Sequence, residues 1–179
     1  DARVVAVGIH PLPAGRSLPA RGGHPALGRV VRVAPGHLAD QLHGDPVARI
    51  DGGRVIDLFA GTGAMGIEAL SRGATFCLLV DDSAAARGLI RRNIEAFGLT
   101  GVTKVWRRDA TDLGDATTMA PFDVAFLDPP YGKGLGEKAL AALATGGWLV
   151  PDALCVLEER NGVAIAVPDR YEGIDQRAR

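Results

Sequence analysis

The chain has 179 residues, 47% of them apolar and 23% charged, with 20 Lys and Arg set against 21 Asp and Glu. That length suits one compact α/β core, and the composition is ordinary for a soluble globular protein. No run approaches the roughly 18 apolar residues of a membrane span, so no membrane partner is expected; a net charge of −1 leaves any nucleic-acid contact to a local patch.

Residues 1–52 are dense in Pro and Gly, hold all four histidines and contain no lysine. They are read as an arm preceding a domain at 53–179. Arg16, Arg21, Arg29 and Arg32 are its candidate phosphate contacts. His10, His24, His37 and His43 show no metal-ligand spacing, so no metal site is expected. The first predicted strand, 54–59, carries Asp57 inside an apolar run. It leads into Ala60-Gly-Thr-Gly-Ala-Met-Gly66 and a predicted helix at 64–72. Glycines at such a turn let backbone N–H groups approach a ligand at a helix N-terminus.

Gly61, Thr62, Gly63 and Gly66 also fit the dinucleotide fingerprint, and after a second strand, 76–80, come Asp81 and Asp82 at the spacing of a ribose-binding carboxylate. The loop alone therefore leaves NAD and S-adenosylmethionine both open. Asp57 favours the second, because a carboxylate there can face a cationic ligand; its alternative role is to anchor the turn. The next helix, 83–97, has Ser83 as N-cap, an apolar stripe of Ala86, Ile90, Ile94 and Phe97, and Gly98 past its end. Arg87, Arg91 and Arg92 are expected on its solvated face. A strand at 102–106 runs into Asp109 and Ala110, candidates for the adenine end of a nucleoside, although an Asp-rich loop can also be a plain turn. Cys77 and Cys155 lie in apolar runs without a CxxC pattern and are expected to be buried free thiols of a cytoplasmic protein.

A fourth strand, 123–127, ends at Asp128-Pro129-Pro130-Tyr131. Two prolines stiffen the backbone and donate no hydrogen bond. An exocyclic amino group on a planar base is a poor nucleophile, because its lone pair is conjugated into the ring. Acceptors on its two N–H bonds, Asp128 Oδ and the Pro129 carbonyl, would turn the lone pair outward while Tyr131 stacks on the ring. A helix at 135–145 and a strand at 153–158 complete the alternation, which predicts a mostly parallel sheet with ligands at the strands' C-terminal ends. Asp57, Asp81, Asp109 and Asp128 all fall at or near that edge.

Together these segments resemble the class I S-adenosylmethionine-dependent methyltransferases, and more narrowly the RsmD-type 16S rRNA guanine-N2 methyltransferases. The words that carry the resemblance are VIDLFAGTGAMGIEALSRGA (55–74), RRNIEAFGL (91–99), RRDATDL (107–113), PFDVAFLDPPYGKGL (121–135) and GGWLVPDALCVLEE (146–159). The resemblance implies a Rossmann-like α/β fold with helices on both sheet faces. It also implies S-adenosylmethionine bound by Asp57, Phe59, Gly61, Thr62, Gly63, Asp81 or Asp82, Asp109 and Ala110. Asp128, Pro129, Pro130 and Tyr131 would carry the chemistry on ribosomal RNA or the small subunit, in a protein expected to be monomeric. The segment before 53 departs from the family's basic arm. The chain also stops at Gln176-Arg-Ala-Arg179, where relatives continue into one more strand, so a regular last strand is expected to be missing. The alternatives are an amino-group methyltransferase on another nucleic acid, such as DNA adenine, and a nucleotide-binding Rossmann-like protein without catalysis. A separate target-recognition domain is typical of the former, and 179 residues leave little room for one.

Overall fold

The computed structural model describes residues 2–9, 29–30 and 45–178. Arg16, Arg21, Arg32 and the four histidines lie outside the described residues. In chain order the strands are β1 (Ala2–Ile9), β2 (Arg29–Val30), β3 (Asp45–Pro46), β4 (Arg54–Leu58), β5 (Phe76–Val80), β6 (Thr103–Trp106), β7 (Phe122–Leu127), β8 (Leu149–Arg160) and β9 (Tyr171–Ala178). The helices are α1 (Val47–Ile50), α2 (Ala64–Ser71), α3 (Ala84–Ala96) and α4 (Leu135–Thr145).

Seven strands form one sheet in the order β6-β5-β4-β7-β8-β1-β9, and β2 pairs with β3 in a separate short ribbon. Strands β6, β5, β4, β7 and β8 run parallel. Their near-continuous apolar sequences follow from burial on both faces. On one face Leu58, Leu78, Phe122 and Leu127 pack with Leu140 and Leu143 of α4 and with Trp148. On the other, Val55, Leu79 and Phe126 pack with Ala69 of α2 and with Ile90 and Ile94 of α3. The expected α/β sheet with helices on both faces is present, and each predicted strand and helix appears with ends shifted by at most a few residues.

One expectation is overturned. The last strand is regular: β9 pairs antiparallel with β1, from Arg3 opposite Ala178 to Ile9 opposite Tyr171. Tyr171-Glu-Gly-Ile-Asp-Gln-Arg-Ala carries too few apolar residues to read as a strand by itself. Its partner comes from the far end of the chain. Residues 2–9, taken from sequence as the start of the arm, pair with β8 on one side and β9 on the other, and Val7 is fully buried.

Helix α3 departs from its predicted faces at two positions. Arg87 is buried rather than solvated, because its guanidinium turns back and donates to the carbonyls of Asp81 and Asp82. Phe97 lies one residue past the last turn, where the chain leaves the helix at Gly98, and is 66% exposed. Ser83 caps the helix as expected, accepting from the Ala86 N–H.

Candidate active site

The C-terminal ends of β4, β5, β6 and β7 meet at one edge of the sheet, and the turn after β4 is the tightest part of it. Phe59 and Gly61 adopt left-handed conformations with φ of 58° and 57°. Asp81 at the end of β5 holds this turn, its Oδ2 accepting from the Gly61 N–H at 2.9 Å and its Oδ1 from the Ser83 N–H at 2.9 Å. Thr62 is exposed, and its carbonyl accepts from Asn93 Nδ2 at 2.9 Å. Gly63, with φ of 78°, sits against the Leu79 side chain, where a Cβ would come within 2.9 Å. A cleft of about 230 Å³ opens over this edge, lined by Phe59, Asp81, Asp82, Asp109, Ala110 and Pro130 among others. A larger hollow of about 420 Å³ lies between Thr111–Asp115 and α4 and shares only Thr111 with it.

Asp57 lies beneath the turn, only 1% exposed, and its Oδ2 accepts from the Gly66 N–H at 2.9 Å. Burial pushes its carboxyl up to about 8; the Gly66 hydrogen bond opposes this, while Asp128 and Asp81 add repulsion. The Cys77 thiol beside it is also pushed up, by burial first and by Asp57 second. Asp57 is thus a turn anchor in the described residues, and its burial makes it sensitive to any positive charge brought nearby. Gly66 is required here for space: a Cβ would lie 2.5 Å from Cys77 Sγ and 3.3 Å from Asp57 Oδ2. Gly66→Ala is expected to cost about 1–3 kcal/mol by overpacking. Thermal or denaturant unfolding checks this, with a lowered midpoint as the expected result.

Asp109 forms a local turn, its Oδ1 accepting from both the N–H and the hydroxyl of Thr111. That hydroxyl bond, with the backbone one, holds its carboxyl below the usual range. It nevertheless lines the cleft, as does buried Ala110. After β7, the Asp128 N–H continues the ladder onto the Leu58 carbonyl at 3.4 Å. Pro129 is buried, while Asp128, Pro130 and Tyr131 are exposed. Tyr131 donates its hydroxyl to Glu158 Oε1 at 2.6 Å, and the next residue's N–H, on Gly132, donates to Glu159 Oε1 at 2.9 Å. Sequence reasoning passed over both glutamates, along with Arg108, Thr111 and Leu135, which also line the cleft.

The family described as Conserved hypothetical protein 95 matches residues 25–179. The chain belongs to the RsmD-type family. Among its relatives, the Bacillus subtilis (strain 168) protein YlbH is 41% identical over 122 residues, covering 67% of this chain and 61% of YlbH. Ribosomal RNA small subunit methyltransferase D of Buchnera aphidicola subsp. Acyrthosiphon pisum is 30% identical over 122 residues, covering 68% of this chain and 63% of that protein. This RsmD-type chain therefore aligns over less than two thirds of either relative's length. The solved structure of yhhF from Escherichia coli superposes with a TM-score of 0.58 at 32% identity, over 67% of each chain. The fold is accordingly the Rossmann-like fold of class I methyltransferases. Among the described residues, no helix is long and apolar enough to cross a membrane and no acidic, His or Cys group is arranged to hold a metal.

Proposed function

We propose that this RsmD-type chain transfers a methyl group from S-adenosylmethionine to the exocyclic N2 of a guanine in small-subunit ribosomal RNA. One observation carries the proposal: Pro130 of the DPPY turn and the nucleoside-type residues Phe59, Asp81, Asp82, Asp109 and Ala110 line the same cleft. A cofactor held by the second set would lie against the turn suited to an amino group. The names of relatives such as ribosomal RNA small subunit methyltransferase D support RNA as the substrate. The assembled small subunit is included as a partner, with the enzyme acting as a cytoplasmic monomer.

The residues present fit the cofactor. Asp81 and Asp82 offer carboxylates for ribose hydroxyls, Asp109 and the Ala110 backbone would serve as polar partners of an adenine edge, and Phe59 supplies an apolar wall. Gly61, Thr62 and Gly63 form the turn beneath, and Asp57, buried under that turn, would favour a cationic group bound above it. When bound, S-adenosylmethionine supplies an activated methyl group on a sulfonium, and the leaving group needs no Lewis acid. Asp128 Oδ and the Pro129 carbonyl accept the two N–H bonds of the target amino group and aim its lone pair at the cleft. Tyr131 stacks on the base, and the prolines keep both acceptors in one direction.

Asp81→Ala removes an acceptor from the ribose hydroxyls, a charged hydrogen bond of about 1.5–3 kcal/mol. Cofactor affinity is expected to fall roughly ten- to a hundred-fold. Calorimetric titration of the parent and this variant with S-adenosylmethionine and with NAD tests the assignment. Selective binding of S-adenosylmethionine by the parent, weakened in the variant, is the expected outcome. Binding of NAD in preference would overturn it in favour of a dinucleotide protein.

A further inference from the structure

We propose that Glu158 and Glu159 of β8 are positioning residues that grip the DPPY turn from both faces of the sheet and fix the Tyr131 ring for the target base. The inference rests on the function proposed above for Tyr131, but the tether itself is a property of the protein alone. Strand β8 runs beside β7 with Leu157 opposite Leu127, so its next residues pass alongside the turn that begins at Asp128. Val156 and Leu157 belong to the cores on opposite faces, and Glu158 and Glu159 continue that alternation. Glu158 Oε1 takes the Tyr131 hydroxyl at 2.6 Å. Glu159, only 2% exposed, takes the Gly132 N–H at 2.9 Å and the Arg160 N–H at 2.7 Å on one oxygen.

The turn needs such external tethers. Tyr131 is 39% exposed and is followed by Gly132 and Gly134, both left-handed with φ of 71° and 63°. Glycines at those positions restrict the backbone least, so the ring's direction is not fixed by its own segment. Two successive carboxylates meeting two successive residues of the turn supply the missing constraint. A ring already held in place loses less freedom when a base stacks on it. Strand β1 backs this grip from the other side, with Val4 opposite Glu158 and Arg3 opposite Glu159.

The test uses the full chain carrying 3-fluorotyrosine, whose two fluorine signals, from Tyr131 and Tyr171, are assigned with Tyr131→Phe. In the protein without cofactor or RNA, Glu158→Ala is expected to move the Tyr131 signal and leave that of Tyr171, whose hydroxyl bonds the Leu140 carbonyl. Glu158→Gln is expected to restore it toward the parent, because the amide oxygen still accepts. In methyl transfer, kcat is expected to fall about tenfold in Glu158→Ala with the S-adenosylmethionine dissociation constant unchanged. Tyr131→Phe and the double variant are expected to fall by the same factor, because each removes the same bond. Glu159→Gln keeps an acceptor and serves where Glu159→Ala does not fold. A Tyr131 signal indifferent to Glu158→Ala, or losses that multiply in the double variant, would overturn the positioning role. A parent that tethers Tyr131 but methylates no guanine would instead count against the proposed function.

Discussion

Asp128→Ala is expected to lower turnover by on the order of 10²–10³ while leaving the cofactor bound. The carboxylate is exposed at the end of β7, on the strand order's central position beside β4, and its own N–H still completes the ladder to Leu58. Truncating it therefore removes an acceptor without opening the core. If it accepts an N–H of the target amino group, the lost interaction strengthens as the lone pair develops toward the methyl group. Such a loss appears in kcat rather than in binding. A preorganised polar partner of this kind is worth on the order of 10²–10³ in rate. Single-turnover kinetics alongside calorimetry would separate the two effects. A kcat within a few-fold of the parent would remove Asp128 from the chemistry.

The second large effect concerns Asp57 and pH. Its carboxyl, ordinarily near 3.8, is pushed up to about 8 by burial, with Asp128 and Asp81 adding to the rise and Gly66 opposing it. The folded state therefore holds a proton that the unfolded state has lost across that window. Its contribution is fully present below about pH 4 and is lost as pH climbs through about 8, with a ceiling of about 6 kcal/mol. The neutral Cys77 thiol beside it offers no compensating charge, and its own shift is upward. Asp57→Asn keeps an oxygen for the Gly66 N–H and removes the titration. The parent is expected to lose stability relative to this variant between about pH 4 and 8, read as diverging unfolding midpoints. Under the proposed function the cationic cofactor favours the ionised carboxylate, so S-adenosylmethionine affinity is expected to rise with pH in the parent and stay flat in Asp57→Asn. Parallel stability profiles for the two proteins would show that Asp57 does not hold a proton in this window.

The elements around the cleft were legible because each rests on local rules. Val55-Ile56-Asp57-Leu58 and Val124-Ala125-Phe126-Leu127 are short apolar runs ended by glycine or proline, and both appear as central parallel strands. Ser83 announces α3, and the turn glycines announce the approach to Asp81. What remained hidden depends on pairing between distant residues. The β1–β9 ladder joins the two ends of the sequence, and no periodicity within Tyr171–Ala178 reports its partner. Glu158 and Glu159 read as the polar end of an apolar strand, and only the β7–β8 register brings them to Tyr131 and Gly132. Arg87 looked like one of three solvated arginines, because the carbonyls it meets at Asp81 and Asp82 lie outside its own helix. Asp109 illustrates two uses of one residue: its turn with Thr111 is local, while its place in the cleft comes from the sheet.

The most direct measurement is transfer of a labelled methyl group from S-adenosylmethionine to naked 16S rRNA, to assembled small subunits and to DNA, with the products digested and the methylated nucleoside identified. N2-methylguanosine is expected in the ribosomal RNA samples, none in DNA, and on the order of 10²–10³ less per unit time from Asp128→Ala. Methyladenine in DNA, or no transfer to any of the three by a chain that binds the cofactor, would contradict it.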